Sequence, residues 1–479
     1  MSDVFDFKKS VFFASDGSGA AANAGGCTRD WWDTECPNHT EAEHVAARDK
    51  MMDANGVPIV DVTSVSYTQS DTKFNVTGAV ASGVEIGMLA YLYNATFTTI
   101  GMYQITDVGT DFIRCQFASQ SQDDTLDIII GGEFLLQDAL DETDASKYDV
   151  EIHVRDDLVL TAPIDIDYGG GTLLENSFKK IRGYNISPND MDLDGTYYES
   201  PQDILVGSGS PDATKSVKLD GDAGNFEVLD VAVDNVIIEN IHCNNTGTAL
   251  GIILTSTPQN VTFRNCRFTV VSQAYQSDGE DILFDSCFTS NNTVHNYVCS
   301  TGKHILLNCV AVLVANSNFV NAISVPVTVI GCTVAGVGKY GVHAVAAGAS
   351  ILVINNTFYN LASNGVYQNT GETAIIFNNI FCLTPGAIGI QISTTGAITY
   401  NDYNCFIETD GTALTVSTSA NGEPAIIGAH SVTVDPQFMD AGNGDFRLRP
   451  ISPCINSGKP QADGYVSMGA WNRISRIRR

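Results

Sequence analysis

The sequence predicts an all-β protein: a right-handed parallel β-helix of about 23 residues per coil, preceded by a small antiparallel β domain and an N-terminal capping helix. Three observations predict it. A degenerate unit recurs eight times at one period, short period-2 apolar runs fill the stretch before it, and 44% of residues are apolar against 17% charged. Such a chain can bury a large core.

The repeat is clearest in Val261-Thr262-Phe263-Arg264-Asn265-Cys266-Arg267-Phe268, where alternating apolar residues lead to Asn, then a small residue, then another apolar one. Positions equivalent to the Asn are 240, 265, 286, 308, 331, 355, 378 and 401, spaced 21 to 25 residues apart. Successive coils lay strands over one another, so inward residues stack on their counterparts. Asn suits the tight turn because it tolerates left-handed geometry, and its amide can bond the next Asn in a ladder. A small residue follows because the inner corner is narrow. Leucine-rich repeats are excluded, since their Leu-x-x-Leu-x-Leu spacing is absent.

The elements follow in order. Residues 1–59 form an arm or attachment region, with a lone strand at about 11–17 and a helix over about 41–55. Residues 60–131 hold five or six short strands, as in Phe112-Ile113-Arg114-Cys115-Gln116-Phe117, and predict a small antiparallel barrel or sandwich. Within 132–149, Phe134, Leu135, Leu136, Ala139 and Leu140 share one side of a short helix at Glu133–Glu142 that would plug the first coil. The β-helix occupies 150–433, and 434–479 is a closing segment with a basic tail at Arg473, Arg476, Arg478 and Arg479.

This pattern resembles the pectate-lyase-like superfamily of right-handed parallel β-helices over about residues 133–471. Val434-Asp435-Pro436-Gln437-Phe438, Gly444-Asp445-Phe446-Arg447-Leu448, Ser452-Pro453-Cys454-Ile455-Asn456-Ser457-Gly458 and Met468-Gly469-Ala470-Trp471 look like the closing segment of bacterial and phage β-helix proteins. Gly101-Met102-Tyr103-Gln104-Ile105-Thr106-Asp107-Val108 also resembles segments of phage structural proteins. The resemblance implies a fold. Functions within it range from polysaccharide lyases and glycoside hydrolases to tailspikes and purely structural virion proteins.

Charge narrows the choice. A net charge of −30 opposes nucleic-acid binding, anionic membranes and polyanionic glycans that are not bridged by cations. No basic n-region with an apolar run opens the chain, and no 18-residue apolar stretch occurs, so neither Sec export nor membrane insertion is expected. Most of the 12 cysteines fall at equivalent repeat positions, which predicts buried small hydrophobes in a reduced column.

Chemistry-bearing constellations are few. Asp278, Glu280 and Asp281, with Asp285 nearby, are the one acidic cluster of the central coils, and two of them could flank a glycosidic bond. The plainer reading is a solvated turn entering a strand. Cys27, Cys36, His39 and His44 have types that can hold zinc, although their spacing matches no standard finger and Trp31 and Trp32 can anchor an arm there. His153, His242, His295, His304 and His343 show no partner pattern and read as hydrogen-bonded wall residues. No catalytic, cofactor-binding or metal residue is assigned, and no cofactor is expected.

Between Ser286 and Gly371 the only formal charges are Lys303 and Lys339. Outer walls that poor in charge predict an interface. The leading expectation is therefore a virion structural protein (a phage spike, fibre or capsid-surface decoration) that forms a homotrimer, meets other virion proteins and contacts host glycans. A polysaccharide lyase or glycoside hydrolase using Asp278, Glu280 and Asp281, with extracellular placement, is the alternative. A non-catalytic glycan-binding solenoid is the third.

Overall fold

The computed structural model describes residues 8–15, 23–26, 60–68, 73–79, 84, 89–93, 101–115, 125–130, 132–133, 149–154, 158–160, 162–166 and 179–183. From there it describes 217–221, 224, 226–247, 250–270, 272–290, 292–369, 373–392, 398–419, 428–460 and 467–470. The chain forms two compact units. One comprises Met1–Val159, Ile166–Leu193 and Ser216–Lys218; the other comprises Leu160–Asp165, Asp194–Lys215 and Leu219–Arg479.

In the first unit, six antiparallel strands between Val60 and Ile130 close into a barrel. Alternation fills it: Phe74, Ile105, Ile113, Ile128 and Ile130 are fully buried, while Phe112 and Arg114 on the other face are only partly covered. The strand foreseen at 11–17 spans Lys8–Ser15 and is not alone. It pairs in parallel with Asp149–Val154 and antiparallel with Asn23–Gly26, which satisfies both of its edges. The capping helix is not shown. Glu133, its foreseen first residue, lies in the strand Gly132–Glu133 and pairs with Ala24, and 134–142 fall outside the described residues, as does the helix foreseen at 41–55.

The second unit is a parallel β-solenoid of about eight coils with three sheets. Each coil runs through a strand of the first sheet, turns at one left-handed residue, then contributes a strand to the second sheet and one to the third. First-sheet strands are Val236–Glu239, Thr262–Arg264, Ile282–Asp285, His304–Leu307, Val327–Ile330, Ile351–Ile354, Ala374–Phe377 and Ile398–Asp402. Inward columns make the core. Phe263 stacks on Phe284 at 4.8 Å, and Phe358, Phe381 and Phe406 stack at 5.1 Å per step.

The turn row differs from its expected form in two ways. Asn240, Asn265, Ser286, Asn308, Gly331, Asn355 and Asn378 all have φ between 50° and 68°, but the eighth member is Tyr403 (φ 54°), not Asn401. Asn401 pairs with Ile376, two residues earlier in register. The amide ladder also runs one residue beyond the turn. Asn379 Oδ1 accepts from Asn356 N (2.9 Å) and Nδ2 (3.0 Å), and Asn404 Oδ1 accepts the same pair of bonds from Asn379. In the earlier coils that inward slot holds Cys266, Cys287, Cys309 and Cys332, all buried and unbridged. Burial pushes the Cys287 and Cys332 thiols well up.

The outer wall of the first sheet alternates with this core in two ladder columns. One runs Thr262, Leu283, Ile305, Thr328, Leu352, Ile375, Tyr400. The other runs Glu239, Arg264, Asp285, Leu307, Ile330, Ile354, Phe377, Asp402. Leu283 to Tyr400 and Leu307 to Phe377 are half-buried. The second sheet's last coils are covered instead by the C-terminal segment: Ile380, Cys382, Cys405 and Ile407 pack with Cys454, Met468, Phe438 and Leu448. Gly469 N donates to Asn378 O at 2.7 Å, tying that segment down. No helix among the described residues is long and apolar enough to cross a membrane.

Candidate functional site

Among the described residues, the third sheet carries two adjacent columns rich in polar and aromatic side chains. Its strands Gln273–Ser277, His295–Cys299, Asn318–Ala322, Tyr340–Ala344, Asn364–Gln368 and Ile388–Ile392 pair in parallel. Two ladder columns result: Gln273, His295, Asn318, Tyr340, Asn364, Ile388, and beside it Gln276, Val298, Asn321, His343, Tyr367, Gln391. A Cβ on Gly341 would sit 2.5 Å from the Phe358 ring, so the backbone here lies directly on the core.

Three rings cluster at the middle of this strip. Tyr340 and Tyr367 stack at 5.1 Å, and His343 lies 5.0 Å from Tyr367 and 4.7 Å from Tyr340. The Lys339 ammonium sits 4.8 Å from the Tyr340 centroid. Burial, then His295 and Lys339, hold the His343 pKa down at about 4, so the imidazole is neutral at pH 7. Burial likewise lowers His295.

Amides surround the rings. Asn364 Nδ2 donates to Gln391 Oε1 at 2.6 Å, whereas Asn318 Oδ1, Asn321 Oδ1 and both His343 ring nitrogens are buried with no hydrogen-bond partner. Native interiors seldom leave such atoms unpaired. Over these six strands neither column contains a carboxylate; the second meets Asp230 only two strands earlier, beyond Ile253. The strip can stack against an apolar ring face and exchange hydrogen bonds, but it has no acid–base pair of its own.

The acidic cluster is arranged differently. Asp278, Glu280 and Asp281 are exposed on the turn between the third and first sheets. Asp278 accepts from Ser300 Oγ at 2.7 Å, Glu280 from Gln259 Nε2 at 3.2 Å, and Asp281 serves the turn with φ 53°. Asp285 lies beyond it on the first-sheet wall, 3.7 Å from Arg264 Nε. All four have local structural employment. The zinc-type set Cys27, Cys36, His39 and His44 and the basic tail lie outside the described residues.

The histidines separate. His242 Nε2 bonds Thr269 Oγ1 at 2.5 Å, and His304 Nε2 meets Tyr275 OH at 3.2 Å inside the core. His343 breaks the expected pattern of bonded wall histidines. A group unseen in the sequence lies at the far end of the first sheet, where Asp402 Oδ2 is 2.7 Å from His430 Nδ1 and His430 stacks on Tyr403 at 4.4 Å. Burial pushes Asp402 up, but hydrogen bonds from His430 and the Tyr403 amide outweigh it and hold the carboxyl below its ordinary range. The pair fastens the segment after residue 428 to the last coil.

Sequence reasoning missed the third-sheet strip because its template followed the first and second sheets. The signal was available: His343, Tyr367 and Gln391 are 24 residues apart, the repeat's own step.

A family model described as a domain of unknown function (DUF5123) matches residues 351–461. Comparison with curated proteins gives no match. Among solved structures, the chain is similar to the tailspike protein gp49 from Pseudomonas phage LKA1, at 10% identity and TM-score 0.23, over 80% of this chain and 64% of that one. It is also similar to the Gp54 tailspike of Acinetobacter baumannii bacteriophage AP22, solved in complex with A. baumannii capsular saccharide, at 12% identity and TM-score 0.17, over 76% and 67% of the two chains. The chain thus spans less than two thirds of the first tailspike's length, and at these TM-scores neither superposition bears on what it does.

Proposed function

We propose that this protein is a structural β-solenoid that assembles with copies of itself and contacts an uncharged saccharide through its third sheet, in the setting of a phage virion. The observation that carries the saccharide reading is the Tyr340–His343–Tyr367 cluster on the third sheet, with Asn364 and Gln391 beside it in the same two columns. Sugars present apolar C–H faces to aromatic rings and hydroxyls to amides, and Asn and Gln both donate and accept. Coils rise by ~4.8 Å, close to the length of one sugar residue, so successive coils can meet successive sugars. A net charge of −30 favours an uncharged ligand over a polyanion. The virion setting rests on the resemblance of the repeat and closing segment to phage β-helix proteins, and self-assembly on the two charges in residues 286–371.

A glycan array probed with the intact chain tests the reading. Neutral oligosaccharides should be retained, and Tyr367→Ala should weaken the best of them by about tenfold or more, ~1.4 kcal/mol. Because His343 titrates at about 4, retention should be flat from about pH 5 to 8. Retention of acidic glycans alone, or affinity unchanged in Tyr367→Ala, would overturn it.

A further inference from the structure

The first sheet's outer wall has a different chemistry from the third's. Its middle is apolar but for Thr328, through Ile305, Leu307, Ile330, Leu352, Ile354 and Ile375, and the ladder register is unbroken from Ile282 to Phe377. Its ends are charged. Arg264 bonds Glu239 at 2.7 Å and lies 3.7 Å from Asp285 at one end. At the other, Asp402 ends the second column and the Lys459 ammonium lies 4.5 Å from the Tyr400 ring centroid and 5.0 Å from that of Phe377.

We infer that this wall docks on the same wall of a second copy, the two solenoids running antiparallel about a two-fold axis through the middle coils. The inference rests on the self-assembly half of the proposed function, names its surface, and is independent of saccharide binding. It replaces the trimer expected from the sequence with a pair.

Area supports it. Eight coils at ~4.8 Å extend ~38 Å, and a strand with its flanking turns is ~20 Å wide, giving ~760 Å² against the ~800 Å² that each partner of a standard interface contributes. Sheets pack face to face at ~10 Å with side chains interdigitating, as an unbroken ladder allows. Charge sets the direction. The Glu239–Arg264–Asp285 end carries a net charge of −1, so parallel solenoids would set it against its own copy. Antiparallel solenoids set it opposite the other end, where Lys459 offsets Asp402, so neither acidic end meets its own copy.

Sedimentation velocity of the full chain at micromolar concentration provides the test. Wild type should sediment as a dimer. Ile330→Lys and Leu307→Glu should each sediment as a monomer with an unchanged melting temperature, while Val337→Lys, on an exposed turn, should remain dimeric. Orientation follows from single cysteines under mild oxidation, since two thiols from two chains lose two electrons and two protons to dissolved oxygen. Thr328→Cys, beside the axis, should bridge to its own copy, and Thr262→Cys should not. A monomeric or trimeric wild type overturns the inference. So does Thr262→Cys bridging as readily as Thr328→Cys. A dimer that survives both wall substitutions overturns this face while leaving self-assembly standing, and a monomer that still retains neutral glycans separates this failure from failure of the saccharide reading.

Discussion

Every coil leaves the first sheet through one residue with positive φ, and the occupants are five asparagines, Ser286, Gly331 and Tyr403. Asn tolerates the left-handed region because its short amide bonds locally, whereas a β-branched side chain clashes there. Asn265 is exposed with φ 50°, which isolates the backbone effect. Asn265→Gly should be near neutral and Asn265→Val should cost about 1–2 kcal/mol in urea unfolding. His304 shows the opposite balance. It is fully buried in an inward column between Ile282 and Val327, and burial holds its pKa at about 4, below the ordinary 6.5. The unfolded chain therefore binds the extra proton first as pH falls. The stability its neutral form contributes is complete above about pH 6.5 and about 3 kcal/mol of it is lost by pH 4. Denaturant titrations at several pH values should show that slope in wild type and a smaller one in His304→Val.

At the scale of the element, the inner corner between the first and second sheets is a single column that changes chemistry along its length: four cysteines, then Asn356, Asn379 and Asn404. The thiol end tolerates a dry, narrow slot. The amide end supplies acceptors to two backbone N–H groups, those of Asn356 and Asn379, and Asn356 Oδ1 does the same for Cys332 N at 2.8 Å. Asn379→Ala strands the Asn356 amide in the core, so it should cost about 2–4 kcal/mol, against under about 1 kcal/mol for Cys287→Ala, where no backbone donor is orphaned but a small void forms. Thermal or urea unfolding of the two variants side by side would show the contrast. The sequence made the period legible because inward residues must repeat wherever coils stack. It placed the turn at Asn355 and Asn378, where the backbone has it, but gave the amide ladder to the same residues, whereas the ladder runs through Asn356 and Asn379, since both roles favour the same residue type. Asn401 misled for the same reason: it is an Asn near the right interval, but the turn falls at Tyr403.

At the scale of the molecule, the solenoid's three sheets divide the surface by chemistry. The first sheet's wall is apolar, the second's last coils are covered by the C-terminal segment, and the third carries rings and amides. The charge-poor stretch was visible in the sequence, but not its distribution, because one run of 86 residues contributes to all three walls in turn. The buried thiols give a check on the whole packing: Cys266, Cys287, Cys309 and Cys332 should resist iodoacetamide in the native chain and all react once it is unfolded. The saccharide claim is tested most directly by photo-crosslinking a diazirine-tagged neutral oligosaccharide to the intact chain and mapping the modified peptides. Label should fall on the third-sheet strands between Asn318 and Gln391, around Tyr340, His343 and Tyr367. Label concentrated on the acidic turn at Asp278–Asp281 would contradict the account.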